Sequence, residues 1–261
     1  MPSWFKRKNT RPDAGAVAAR AIILKHVFVK GLAICSGAQQ REQWGADEWS
    51  HFWEEAQNQN LKQIEKLRQS GLWNVMEREE RNFMEAEPAE VTQQEFVDAI
   101  WRAESIVCLL WALGFVSELS TYDQQANPEL TNKLPVEPAG VLIKKATLRP
   151  QELIEKQRNL AELWHWRSRT RQLQESGEEF ALPEGMTIET VLQEASAKAA
   201  ADGVIPTPIK GDFPAFGKPY RDLTNQEYSV ATSIAMERHR ALNWLCGFAP
   251  GNRWAETPTD T

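Results

Sequence analysis

The stretch Thr92–Phe115, TQQEFVDAIWRAESIVCLLWALGF, decides the fold. Thr92 and Glu95 have the spacing of a capping box, in which side chains at the cap and third helical positions satisfy each other's free backbone N–H groups. That spacing predicts a helix start. From Ile106 through Leu113 every residue is apolar, and a helix apolar on all sides must be covered on all sides. Gly114 then offers a residue that tolerates a left-handed C-terminal cap. The apolar run is shorter than the ~20 residues a bilayer span needs. The stretch is expected to be the buried central helix of a soluble, all-α protein. Asp98, Arg102 and Glu104 precede the apolar run, and a buried charge left unpaired costs several kcal/mol. Partners for them are expected elsewhere in the chain.

The C-terminal helix supplies candidates. Thr224 and Glu227 form a second capping box, and the helix it opens is expected to run to Phe248. This segment echoes the central one: TQQEF is matched by TNQEY, and WALGF by WLCGF. Glu104 and Trp111 are separated as Glu237 and Trp244 are, by two helical turns, so each pair shares a face. If the two helices lie side by side, Arg102 and Glu104 face Glu237 and Arg238.

Outward from these, Ala14 to about Cys35 has helical periodicity, with Arg20 and Lys30 free to point outward. Gly45 and Asp47 open a second helix with Trp49, Phe52 and Trp53 on its first turns, closed by Gly71. Leu72 to about Met84 is expected to form a shorter helix. Pro128, Pro135 and Pro138 make residues 116–148 irregular, with Val141-Leu142-Ile143 able to form a short strand. Pro150 suits the first turn of a helix running to about Gly177, on which Leu153, Leu160, Trp164, Arg167 and Arg171 share one stripe. Thr187 to Ala201 is a further helix. Residues 204–223 are rich in Pro and Gly and form a small hairpin or an ordered loop.

Composition limits the function classes. Of 261 residues, 42% are hydrophobic and 25% charged, as in ordinary globular proteins. The net charge of −6 argues against a general nucleic-acid or anionic-membrane binder. Trp is abundant, at 11 against 3 Tyr. Cys35, Cys108 and Cys246 fall in apolar helical segments without metal-binding spacing, so they are expected to be buried thiols in a reducing compartment. The basic N-terminus is followed by a segment interrupted by Arg20, Lys25, His26 and Lys30, which is not a signal-peptide core. A cytoplasmic location is expected.

Trp101-Arg-Ala-Glu104 followed by Leu109-Leu-Trp-Ala-Leu-Gly114 resembles the signature of the bacterial family called domain of unknown function 4272. Glu237-Arg238, then Ala241-Leu-Asn-Trp244-Leu with Gly247, resembles its second signature. Arg11 with Ala19-Arg20-Ala21 is similar to its first-helix pattern, Leu148-Arg149-Pro150 to its mid-chain helix start, and Trp254 with Thr259-Asp260-Thr261 to its close. The family has an acidic residue directly after that Trp, where this chain has Ala255 and then Glu256. The resemblance implies a mostly helical, soluble bacterial protein and brings no activity with it.

Four groups of residues are candidate sites. Arg102, Glu104, Glu237 and Arg238 form either a polar pocket for acid–base work or anion binding, or a salt-bridge network that fixes how two helices meet; the network is the preferred reading. Arg167, Arg169 and Arg171 interleave with Trp164, His165 and Trp166, a pattern that grips phosphates and stacks bases. The preferred reading there is a solvated helix end whose arginine stems cover apolar surface. His26, His51, His165 and His239 are isolated in sequence, which argues against zinc. Trp4, Trp49, Phe52, Trp53, Phe213, Phe216 and Trp254 exceed what one core obviously needs. They are interaction aromatics, with Trp49, Trp53 and Trp254 foremost, or they pin helix ends, loops and tail.

The expected protein is thus a polar, basic tail over residues 1–11 and one all-α domain over 12–261. The domain has about seven helices and one small β-hairpin near 204–220. No P-loop, G-x-S-x-G or G-x-G-x-x-G is present, so no cofactor, metal or catalytic residue is expected. The expected function is a cytoplasmic protein-binding or adaptor role toward a protein partner, an immunity-type partner of a toxin being one form. The alternative is an enzyme or small-ligand binder using the Arg102/Glu104/Glu237/Arg238 pocket. Neither nucleic acid nor membrane is an expected partner.

Overall fold

The computed structural model describes residues 10–40, 43, 45–135, 138–177, 182 and 185–260. The protein is mostly helical: α1 (Ala14–Gln40), α2 (Ala46–Gln69), α3 (Arg78–Glu85), α4 (Gln93–Ala112), α5 (Ala139–Lys145), α6 (Gln151–Ser176), α7 (Ile188–Ala201) and α8 (Asn225–Leu245). Strands β1 (Pro214–Ala215) and β2 (Lys218–Pro219) make one small antiparallel hairpin. No helix among the described residues is long and apolar enough to cross a membrane.

Both capping boxes form. Thr92 N donates to Glu95 Oε2 at 2.8 Å and Glu95 N to Thr92 Oγ1 at 3.3 Å. Thr224 and Glu227 repeat this geometry at 2.8 and 3.3 Å. Gly114 takes φ +82°, ending the α4 segment as its lack of a side chain allows.

α1, α4, α8 and α6 pack in a row, each against the next. α4 sits inside that row, which is why Ile106 through Leu113 are all buried. Its apolar run meets Val17, Ala21, Leu24 and Phe28 of α1, Ile234 and Leu242 of α8, and Trp164 of α6 in the main core. On the far side of α1, Ile23, Val27 and Ile34 join Ile64 and Leu67 of α2 and Phe83 and Met84 of α3 in a second apolar cluster. α1 therefore serves two cores, and Arg20 and Lys30 do not point outward as its periodicity suggested. Arg20 is buried and forks onto Glu80 at 2.8 and 2.9 Å. Lys30 is buried and donates to Met84 O at 2.9 Å and Ala86 O at 2.7 Å, closing the C-terminal end of α3. Burial pushes its ammonium down to about 8.

Several sequence expectations change. Val141-Leu142-Ile143 is helical, inside α5, which packs on α1 and buries Leu142. A three-residue apolar run carries no period that separates strand from helix, and contact with α1 decides it. The segment from Leu72 to Met84 is a short 3-10 turn, Leu72–Val75, broken at Met76 (ψ 147°) before α3 begins. Leu153 of α6 is 45% exposed and leaves the stripe shared by Trp164, Arg167 and Arg171. In the 204–223 segment two tight turns follow each other. Lys210 and Gly211 (φ 51° and 73°) link the bridged pair Ile209 and Asp212, and Phe216 and Gly217 (φ 52° and 72°) join the strands. Left-handed φ at both central residues is the turn whose twist matches paired strands. Of the expected basic tail, residues 1–9 lie outside the described residues; Arg11 pairs with Glu155, and Thr10 accepts from Asn252 Nδ2 at 3.4 Å.

Candidate functional site

Three polar clusters and an aromatic cavity stand out among the described residues. The first is the charged group shared by α4 and α8. Arg102 Nη1 donates to both Glu237 oxygens, at 2.8 and 3.1 Å, Ser105 Oγ donates at 2.7 Å and Arg240 Nη1 at 2.9 Å. Arg238 Nε donates to Glu104 Oε2 at 2.8 Å, and Ala126 N donates to Glu104 Oε1 at 2.7 Å. The other Arg238 nitrogens reach the loop after α4: Ser120 Oγ at 2.8 Å, Gln124 O at 3.2 Å and Thr121 O at 3.3 Å. Burial raises the Glu237 carboxyl, but Arg102, Arg240 and Ser105 outweigh it and hold it below the ordinary glutamate value. Burial disfavours the Arg238 charge, and Glu104 outweighs that. The four residues meet as the echo between the helices predicted, and none of them lines the cavities described below. Every carboxylate oxygen accepts a bond from within the chain. These bonds tie α4, α8 and the 120–126 loop together.

The second cluster overturns the solvated-helix reading of Arg167 and Arg171. Arg167 and Asp212 have 0% side-chain exposure and pair through both carboxylate oxygens, at 2.7 and 2.8 Å. Phe213 N and Arg221 N complete the Asp212 carboxylate at 2.8 and 3.0 Å. Burial raises Asp212, and the Arg167 bonds outweigh it, so its pKa falls below the aspartate value. Arg167 also lies 4.7 Å over the Tyr220 ring, and Arg171 4.4 Å over that of Tyr228. The Pro/Gly-rich loop is thereby pinned to α6; Arg169 alone of the three arginines is exposed. Asp212 had no signal in the sequence beyond its place after a Lys-Gly turn.

The third cluster joins histidines that are isolated in sequence. Arg158 Nε donates to Asn243 Oδ1 at 2.7 Å, which fixes the amide orientation. Asn243 Nδ2 therefore donates to His239 Nε2 at 2.9 Å and to Pro258 O at 2.8 Å. His239 must then carry its proton on Nδ1 and donate it to His165 Nδ1, 3.0 Å away. Both rings are neutral in this chain. Burial, with Arg169 and Arg240 nearby, lowers His165 to about 4; burial, then His165 and Arg158, lowers His239 to about 3. No group of three or more metal-ligating side chains occurs among the described residues. Burial raises the Cys108 thiol to about 12 and the Cys246 thiol to about 11; Cys108 is buried as expected, while Cys35 and Cys246 are only half-buried.

The aromatic candidates divide. Trp254 is 3% exposed and stacks edge-on with Trp244 at 5.5 Å, under Arg20, so it pins the tail and offers no surface. Phe213 is likewise buried. Trp49 and Trp53, 5.7 Å apart, instead line a cavity of about 520 Å³ at the C-terminal end of α1, with Ile34, Ala38, Val91 and Phe96. Trp53 sits directly on Gly37, where any side chain would collide with its ring at 2.6 Å. A second cavity of about 520 Å³ continues along α2 and shares Ile34, Trp53, Gln57, Glu87 and Pro88 with the first.

Fold and site together define a mostly helical protein with buried ion pairs and an open aromatic cavity beside α1 and α2. The chain belongs to the family described as Domain of unknown function (DUF4272), matched over residues 3–191. The match takes in Arg102, Glu104, Trp49 and Trp53 and stops before α8. No curated protein and no solved structure matches the chain.

Proposed function

We propose that the protein binds a partner protein through the cavity around Trp49 and Trp53. The observation that carries this is the pairing of an open, mostly apolar, aromatic-lined cavity with an α4–α8 charged cluster whose carboxylate oxygens all accept bonds from within the chain. Aromatic side chains beside a pocket are the groups that dominate protein–protein binding energy. A cytoplasmic, adaptor-type role goes with this reading; the free cysteines suit a reducing compartment. The test is affinity capture from the native lysate with the unaltered protein, Ala38→Trp and Arg169→Glu. Ala38 is exposed and lines the cavity, so a tryptophan there fills it without entering the core. A protein retained by Arg169→Glu and lost with Ala38→Trp supports the reading. A partner retained equally by all three refutes it.

A further inference from the structure

The cavity also carries a charge signature, and the inference drawn from it rests on the binding reading above. Every charged residue in 45–57 and in 85–98 is an aspartate or glutamate. These acids sit beside the lining residues: Glu48 next to Trp49, Glu54 next to Trp53, Glu90 between Ala89 and Val91, and Glu95 next to Phe96, all four exposed. Glu87 lines the cavity itself, and a mostly apolar cavity whose lining residues are flanked in sequence by exposed acids fits an aromatic anchor followed by cations. A volume of about 520 Å³ has room for such an anchor.

The segment Trp4-Phe5-Lys6-Arg7-Lys8 has that chemistry: two aromatic residues followed directly by three cations. It joins the described chain at Thr10, which accepts from Asn252, while Arg11 lies against Gly247 and pairs with Glu155. These contacts are at the start of α1, and the cavity is at its other end. α1 advances ~1.5 Å per residue, so Ile34 lies roughly 30 Å from Ala14. The six-residue link from Trp4 to Thr10 spans at most roughly 20 Å. The backbone of the segment stops short of the cavity of its own molecule, and a neighbouring copy imposes no such limit. We infer that Trp4–Lys8 of one copy docks in the Ile34/Ala38/Trp49/Trp53/Phe96 cavity of a second copy, the aromatics entering the cavity and the cations pairing with Glu48, Glu54, Glu90 and Glu95. Each copy carries one segment and one cavity, so reciprocal exchange closes a dimer.

Sedimentation velocity of the full chain over a concentration series tests this. The average mass rises with concentration, and association weakens several-fold between about 0.05 M and about 0.5 M salt, because the paired charges are screened. Trp4→Ser/Phe5→Ser disables the segment, and Ala38→Trp fills the cavity; each weakens association roughly tenfold or more. Glu54→Lys/Glu90→Lys, at exposed positions, gives the same loss without touching the packing. An equimolar mixture of the segment variant and a cavity variant recovers association, since one intact segment meets one intact cavity. A full chain that stays monomeric throughout, or variants that associate as the unaltered chain does, overturns the inference. If the chain is monomeric while Ala38→Trp still loses a captured protein, the self-docking inference fails and the partner-binding reading stands.

Discussion

Glu104→Gln tests the reading of the α4–α8 cluster as a strut. The substitution keeps the shape of the side chain and an oxygen able to accept from Ala126 N. It removes the charge opposite Arg238, whose Nε lies 2.8 Å from Glu104 Oε2. An amide nitrogen turned toward that Nε faces donor to donor; an amide oxygen turned there deprives Ala126 N of its acceptor. Either way one buried donor goes unmatched, and Arg238 is left as a buried cation. Breaking one member of such a pair costs about 3–5 kcal/mol. Arg238 keeps its bonds to Ser120, Thr121 and Gln124, so the lower end, about 3 kcal/mol, is expected. Urea unfolding followed by far-ultraviolet circular dichroism measures it, and amide exchange at Ala126 reports whether the loop loosens with it. A loss below about 1 kcal/mol with unchanged exchange at Ala126 would refute the strut. Glu104→Gln that leaves stability intact but abolishes binding of a copurified small molecule would point to a ligand pocket instead.

Three further outcomes are expected. His165 and His239 have pKa values of about 4 and about 3, below the unfolded value of 6.5, so the unfolded chain binds more protons as the pH falls through 6.5. Stability is therefore full only well above pH 6.5 and drops by about 2 kcal/mol per histidine between pH 7 and pH 5; His26, lowered to about 4 chiefly by burial, adds to it. Denaturant midpoints across that range measure the slope, His165→Gln should reduce it, and a flat profile would count against the neutral pair. Asp212→Asn strands Arg167 at a fully buried site and should cost about 3–5 kcal/mol, with near-native stability arguing against the pairing. Trp254→Ala should cost about 3–5 kcal/mol because its ring is packed between Trp244 and Arg20; a surface tryptophan would cost under about 0.5 kcal/mol.

What the sequence by itself determined is what depends on neighbours a few residues apart. The capping boxes at Thr92 and Thr224 mark helix starts because both partners lie within one turn. The unbroken apolar run from Ile106 to Leu113 required a helix covered on all sides, and the row α1–α4–α8–α6 covers it. The pairing of Arg102 with Glu237 and Glu104 with Arg238 was legible because two helices with matching spacing bring the same faces together. Tertiary structure alone decided the rest. Arg167 meets Asp212, and His165 meets His239, because α6, α8 and the hairpin loop converge, and no local spacing encodes that convergence. Lys30 and Arg20 look solvent-facing by periodicity, yet α1 is flanked by two cores and their charges end on the C-terminal end of α3 and on Glu80. The same placement separates Trp254, spent on packing, from Trp49 and Trp53, which face an open cavity. Burial is a property of what lies opposite a side chain, and that is set only when the distant elements have packed.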